Sequence, residues 1–241
     1  AEQSVQTNEV QRCFALLPGF LTIARETGRP LDLVELGPSA GLNLLWDGYG
    51  YEYENGAWGP EEARLALRGE ERTAVPGDLL QTRVDVRRRR GLDLDPVDVT
   101  TEHGERILHA FLWPGRPERA DRLTRAIETL RENPPELVQG DYVERLGQVL
   151  AERDPETLTV VFETASRGYL AAEQQVRVRA AIDAAADAGS LAWLATQTAS
   201  EAAGADPDSS YFLELAIWPA HERRVVAACD FHGNWLDWRG L

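Results

Sequence analysis

A chain of 241 residues suits one large domain or two small ones, and 40 acidic against 25 basic side chains give a formal net charge of −15, which argues against a protein that lives on phosphate backbone. Every basic residue is arginine, and the absence of lysine excludes Schiff-base, pyridoxal-phosphate, Walker-loop and kinase-lysine chemistry. No apolar run reaches the ~18 residues of a membrane span, while Cys13, Cys229 and the scattered His103, His109, His221 and His232 lack metal-site spacing.

Methionine is also absent, at position 1 included, which predicts a further segment ahead of residue 1. The first predicted element is a helix over 7–27, capped by Thr7 or Asn8, with Val10, Phe14, Leu17, Leu21 and Ala24 at helical spacing. Pro18 should kink or split it, and Gly28 and Pro30 should end it. A buried strand over 31–36 then meets a glycine-bearing turn, followed by a short helix over 40–46. The stretch 49–83 changes character. TyrGlyTyrGluTyr, the AsnGly pair at 55–56 and Trp58 predict an inserted antiparallel hairpin, and 64–68 alternates like a further half-exposed strand.

A return to the sheet is expected from Val84, then helices over 102–112 and 117–131, a strand over 137–139 and a helix over 142–152. Residues 157–162 give the clearest β-run. A helix over 171–187, a strand over 190–195, a loop over 198–209 and two strands over 211–217 and 223–229 complete the pattern. Alternating strands and helices closed by a strand pair imply one α/β domain, with a mostly parallel sheet covered on both faces.

Three segments carry candidate chemistry. Glu35, Gly37, Ser39 and Gly41 lie in GluLeuGlyProSerAlaGly at a strand-to-helix turn, where glycines admit a ligand to the backbone. A tight structural turn would look the same, and the GxGxxG dinucleotide fingerprint is missing, which weakens an oxidoreductase reading. Asp93, in GlyLeuAspLeuAspPro, has the two acceptor oxygens that adjacent hydroxyls require, or it pairs with Arg87 to Arg90. Asp141, after Gln139 and Gly140, is either a ligand group or a helix N-cap. Further along, Glu163 is a candidate base or an ion-pair partner of Arg167, and His232 is a second candidate base or a structural histidine. Tyr51, Trp58 and Tyr169 could contact a substrate; for the two hairpin aromatics, strand packing is the alternative.

In order and placement, these segments resemble the cofactor motifs of class I S-adenosylmethionine-dependent methyltransferases. The resemblance implies a three-layer Rossmann-like fold with a C-terminal antiparallel strand pair. It also implies S-adenosylmethionine as cofactor, held by Glu35, Gly37, Ser39, Gly41, Asp93 and Asp141, with Asp93 on the ribose hydroxyls and Asp141 on the adenine amine. ThrAsnGluValGlnArg, ValGluLeuGlyProSerAlaGlyLeuAsn, ArgArgGlyLeuAspLeuAspProValAspVal and HisGlyAsnTrpLeuAspTrp together resemble a bacterial family catalogued as domain of unknown function 2332. Members of that family usually carry further residues before the first of these segments. The reading that follows is a cytoplasmic methyltransferase acting on a small molecule or peptide, away from nucleic acid and membrane, with 49–83 as a flap over the carboxyl edge of the sheet. A non-catalytic ligand-sensing or partner-binding protein on the same fold is the alternative.

Overall fold

A computed structural model describes residues 9–112, 117–198, 211–219 and 223–240. Thr7 and Asn8, expected to cap the first helix, lie outside the described residues, as does the expected loop beyond Thr198. The chain opens with α1 (Arg12–Thr27) and β1 (Leu31–Leu36), then the expected short helix, a 3-10 helix over Leu42–Gly48. β2 (Gly50–Tyr53), β3 (Gly56–Trp58), β4 (Ala66–Arg68) and β5 (Glu70–Thr73) follow. Next come β6 (Val86–Asp93), α2 (Glu102–Ala110), α3 (Pro117–Glu132), β7 (Glu136–Gln139), α4 (Tyr142–Ala151) and β8 (Leu158–Glu163). The last elements are α5 (Ala172–Asp187), β9 (Leu191–Thr198), β10 (Tyr211–Ile217), β11 (Arg223–Cys229) and β12 (Trp235–Trp238).

Nine strands form one sheet in the order β5-β12-β11-β10-β9-β8-β1-β6-β7. The block from β9 to β7 is parallel, and β10, β11 and β12 continue it as an antiparallel meander. From β1 the chain moves outward through β6 and β7, then returns to the other flank of β1 as β8. That reversal is a topological switch point, where open α/β sheets hold ligands beyond the carboxyl ends of their strands. Successive residues of the central strands feed opposite faces. Leu31, Leu33, Leu158, Val160 and Phe162 join a core with α1, α3 and the insertion, while Val34, Leu36 and Val161 join a second core with α4 and α5.

Two expectations are corrected here. Helix α1 runs unbroken through Pro18. Proline removes the N–H that would reach the carbonyl of Phe14, and the Tyr53 hydroxyl donates to that carbonyl instead, at 2.6 Å. The insertion does contain the AsnGly hairpin, with Tyr51 opposite Trp58, and β4 lies parallel to β2. Its aromatics Tyr51 and Trp58 do not face the carboxyl edge as a flap would present them. Its aromatics pack into the α1 core: Trp46 stacks on Phe20 and on Trp58, and Tyr53 stacks on Phe14. Its later part reaches Arg25 in the last turn of α1 through Asp78, beside the amino end of β1.

Candidate functional site

The turn after β1 is built from left-handed backbone. Gly37, Ser39 and Gly41 have φ of +71°, +54° and +80°, which glycine adopts freely and serine seldom does. Backbone bonds lash the turn to the end of β6: Gly37 N–H donates to Leu92 O at 2.9 Å and Val97 N–H to Ser39 O at 3.2 Å. Asp93 completes the tie. Its Oδ2 accepts from Ser39 N–H at 2.7 Å and its Oδ1 from Asp95 N–H at 2.9 Å. Gly140 N–H reaches the Asp93 carbonyl at 2.7 Å, and Asp141 caps α4 by accepting from Val143 N–H at 2.8 Å. The segments around Gly37, Asp93 and Asp141 therefore stand together at the carboxyl ends of β1, β6 and β7. Asp93 serves the turn rather than the arginine run of β6, in which Arg90 pairs with Asp32 and Arg88 with Glu136.

The glycines of the turn meet protein on their open sides. A Cβ on Gly37 would lie 2.6 Å from Ser166 Cβ, and one on Gly41 would lie 2.9 Å from Pro135 Cγ. Ser166 is fixed there by its hydroxyl, which donates to Leu36 O at 2.6 Å. Glu35 lies beneath the turn, 1% exposed, with Oε2 lacking a hydrogen bond among the described residues. Burial raises its pKa to about 8, against a hydrogen bond with Asn43 that lowers it; the nearby Asp93 charge raises it further.

Beyond β8, Glu163 is buried and held by Arg167, whose backbone N–H donates to Oε2 at 3.3 Å and whose Nε lies 3.9 Å from Oε1. Tyr169 is 85% exposed at the end of the 3-10 turn over Ser166–Tyr169. Tyr51 does not face a cleft: it is buried in the core, and its hydroxyl donates to Trp46 O at 2.7 Å. Trp58 is also a packing residue, its indole N–H donating to Thr82 O at 2.9 Å. His232 is half-buried, edge-on to Phe231. Its pKa is lowered by burial first and then by the Arg119 guanidinium.

The sequence reading missed Arg12 at the head of α1 and Asn43 past the glycine turn. Arg12 is buried, donates from Nε to Phe231 O at 2.9 Å, and lies over the Phe231 ring at 4.4 Å. Asn43, just past the glycine turn, accepts from Cys13 Sγ at 3.2 Å. An arginine at the head of a helix reads as a solvated charge, so periodicity gives no hint of Arg12. The only available signal was its place in ThrAsnGluValGlnArg. Among the described residues, no group of three or more His, Cys, Asp or Glu side chains is arranged to hold a metal, and no helix is long and apolar enough to cross a membrane.

No curated protein matches the chain. Two solved structures of WbdD resemble it, one described as a co-crystal with the kinase inhibitor LY294002 and the other as the bifunctional kinase-methyltransferase. Each is 15% identical, with TM-scores of 0.34 and 0.33, and 82% of this chain aligns to 33% and 32% of theirs. The chain thus spans about a third of the length of the structures it matches. Residues 1–238 match the model of the family described as "uncharacterized protein conserved in bacteria", domain of unknown function 2332, and the chain belongs to that family.

Proposed function

We propose that this protein is an S-adenosylmethionine-binding methyltransferase that acts on a small molecule or peptide in the cytoplasm. One observation carries the reading: the glycine turn, Asp93 and Asp141 meet at neighbouring strand ends beside the switch point, joined through the Ser39–Asp93 bond. The residues fit the cofactor. Each Asp93 oxygen accepts one backbone N–H, and a carboxylate oxygen has room for a second donor, so two ribose hydroxyls can still be taken. Oδ2 of Asp141 is outside the cap bond and suits an exocyclic amine. Leu94, 68% exposed immediately after Asp93, offers an apolar surface for a flat base.

S-adenosylmethionine, when bound, supplies a methyl group already activated by its sulfonium. The protein's share is then orientation and exclusion of water. Gly37 and Gly41 keep the turn close and free of side chains, and Glu35 supports it from below. Glu163 and His232 are the candidate proton acceptors for a protonated nucleophile, Glu163 once its pairing with Arg167 loosens.

A second reading, a ligand-sensing or partner-binding protein on this fold, is favoured by the contact of Ser166 with Gly37 and by the engagement of Glu163. Titration calorimetry with S-adenosylmethionine, S-adenosylhomocysteine and NAD separates the readings. The first two should bind and NAD should not, and Asp93→Ala should weaken binding by about 1–3 kcal/mol, the scale of lost hydrogen bonds to a charged group. Unchanged affinity in a folded Asp93→Ala variant, or no binding by the wild type, would sink the methyltransferase proposal. Binding without S-adenosylhomocysteine release in the presence of cell extract would favour the second reading.

A further inference from the structure

A cleft of about 320 Å³, part of it open to solvent, lies between the head of α1, the segment after β8 and the turn from β11 to β12. Ala15, Leu16, Leu213 and Phe231 give it apolar walls, and Arg12, Thr196, Tyr211 and Asp230 are polar members of its lining, Asp230 engaged by its own turn. Thr164 and Ala165 form another wall, so the cleft adjoins the glycine turn, against which the next residue, Ser166, is packed.

Arg12 stands outside the ion pairs at this end of the sheet, with Glu9 and Glu163 the carboxylates that favour its charge from a distance. Glu9 pairs with Arg119 and Arg122, and Glu163 with Arg167. Asp230 accepts from Asn234 N–H, from the Asn234 side-chain amide and from Trp235 N–H. Glu35 keeps its proton to about pH 8, and burial leaves His232 less ready to take one. Arg12 is 8% exposed; its Nε and Nη1 donate to the carbonyls of Phe231 and Thr164, its Nη2 makes no hydrogen bond, and it forms no ion pair among the described residues. A guanidinium stays charged at any ordinary pH, and a buried charge without a counterion is costly. An arriving anion would remove that cost, and a carboxylate matches the guanidinium fork.

The geometry points to the cleft as a binding site for a small molecule with a carboxylate on an apolar body, the carboxylate on Arg12 and the body against Phe231, Leu16 and Leu213. That this molecule is the methyl acceptor rests on the methyltransferase reading above; the site itself does not.

The test uses benzoate and 3-phenylpropionate as probes, with benzamide and 3-phenylpropionamide as uncharged matches, followed by calorimetry and thermal shift. S-adenosylmethionine is titrated in parallel. The acids should bind and raise Tm while the amides do not. Arg12→Gln should weaken acid binding roughly tenfold or more, the scale of a lost charge-assisted contact, with S-adenosylmethionine affinity retained. Should Arg12→Gln fail to fold, Arg12→Lys and Phe231→Ala carry the test, each expected to weaken acid binding and spare the cofactor. Equal behaviour of acids and amides, binding of neither, or loss of S-adenosylmethionine affinity alone in the Arg12 variants would overturn the proposal. Acid binding by a protein that ignores S-adenosylmethionine would uphold the site and remove the methyltransferase reading.

Discussion

A carboxyl group enclosed by Cys13, Asn43 and the underside of a turn gains little by ionising, and Glu35 carries a measurable consequence of that. Its ordinary value of 4.5 is raised to about 8 by burial. Between those two values the folded chain holds a proton that the unfolded chain has released, so stability falls as pH rises through that window and is flat on either side. Each pH unit is worth roughly 1.4 kcal/mol. Glu35→Gln keeps a neutral hydrogen-bonding side chain and has nothing to titrate. Urea melts at pH 5 and pH 8 should therefore show wild type losing several times more stability between them than the variant does. Equal losses would mean that Glu35 is ionised in the fold. Glu35 was visible in the sequence as a strand-end acid before a glycine turn, because alternation and turn chemistry are local. Its proton was not, because burial depends on helix α1, which no local pattern places above it.

Helix α1 shows how a tertiary contact overrules a local rule. Pro18 leaves the carbonyl of Phe14 without its helical donor, and Tyr53, stacked on the Phe14 ring with centroids 4.6 Å apart, supplies one from the insertion. Tyr53→Phe keeps the stack and strands a buried carbonyl, at a cost of about 1–3 kcal/mol. In a Pro18→Ala background the residue-18 N–H can return to that carbonyl, so the same change should cost markedly less. A double-mutant cycle in urea measures the difference; additive effects would show that the hydroxyl does not replace the missing amide. The helices and parallel strands were otherwise legible from periodicity, and the ends of β1, β6 and β7 with them. Two strands were not. β5 is GluGluArgThr, half-exposed or exposed throughout, and β12 is only TrpLeuAspTrp. Neither alternates for long enough to read as a strand, and each is defined by its partner.

At the scale of the whole molecule, the aromatics of the insertion belong to the core. Trp58 packs on Trp46 and Tyr51 and closes a hydrogen bond to Thr82. Trp58→Ala should therefore lower global stability, by somewhat less than the roughly 3–5 kcal/mol of a fully buried tryptophan, and leave ligand affinities unchanged in whatever remains folded. Calorimetric melting together with ligand titration checks both halves; a variant of normal Tm with impaired turnover would restore the insertion to the site. The same insertion delivers β5 to the far edge of the sheet, where Thr73 bonds Asp237, 164 positions away. Arg12 likewise meets Phe231 across 219 positions. Contacts this remote in sequence are slow to form, on the order of milliseconds to seconds rather than microseconds. As the chain emerges from a ribosome, β5 is complete long before β12 exists to receive it. An unpaired strand is a template for aggregation unless charge protects it. In the finished sheet Arg72 lies over the Trp235 ring and Glu71 accepts from Val75 N–H; in the interval before it closes, the same glutamates and arginine keep a waiting edge in water.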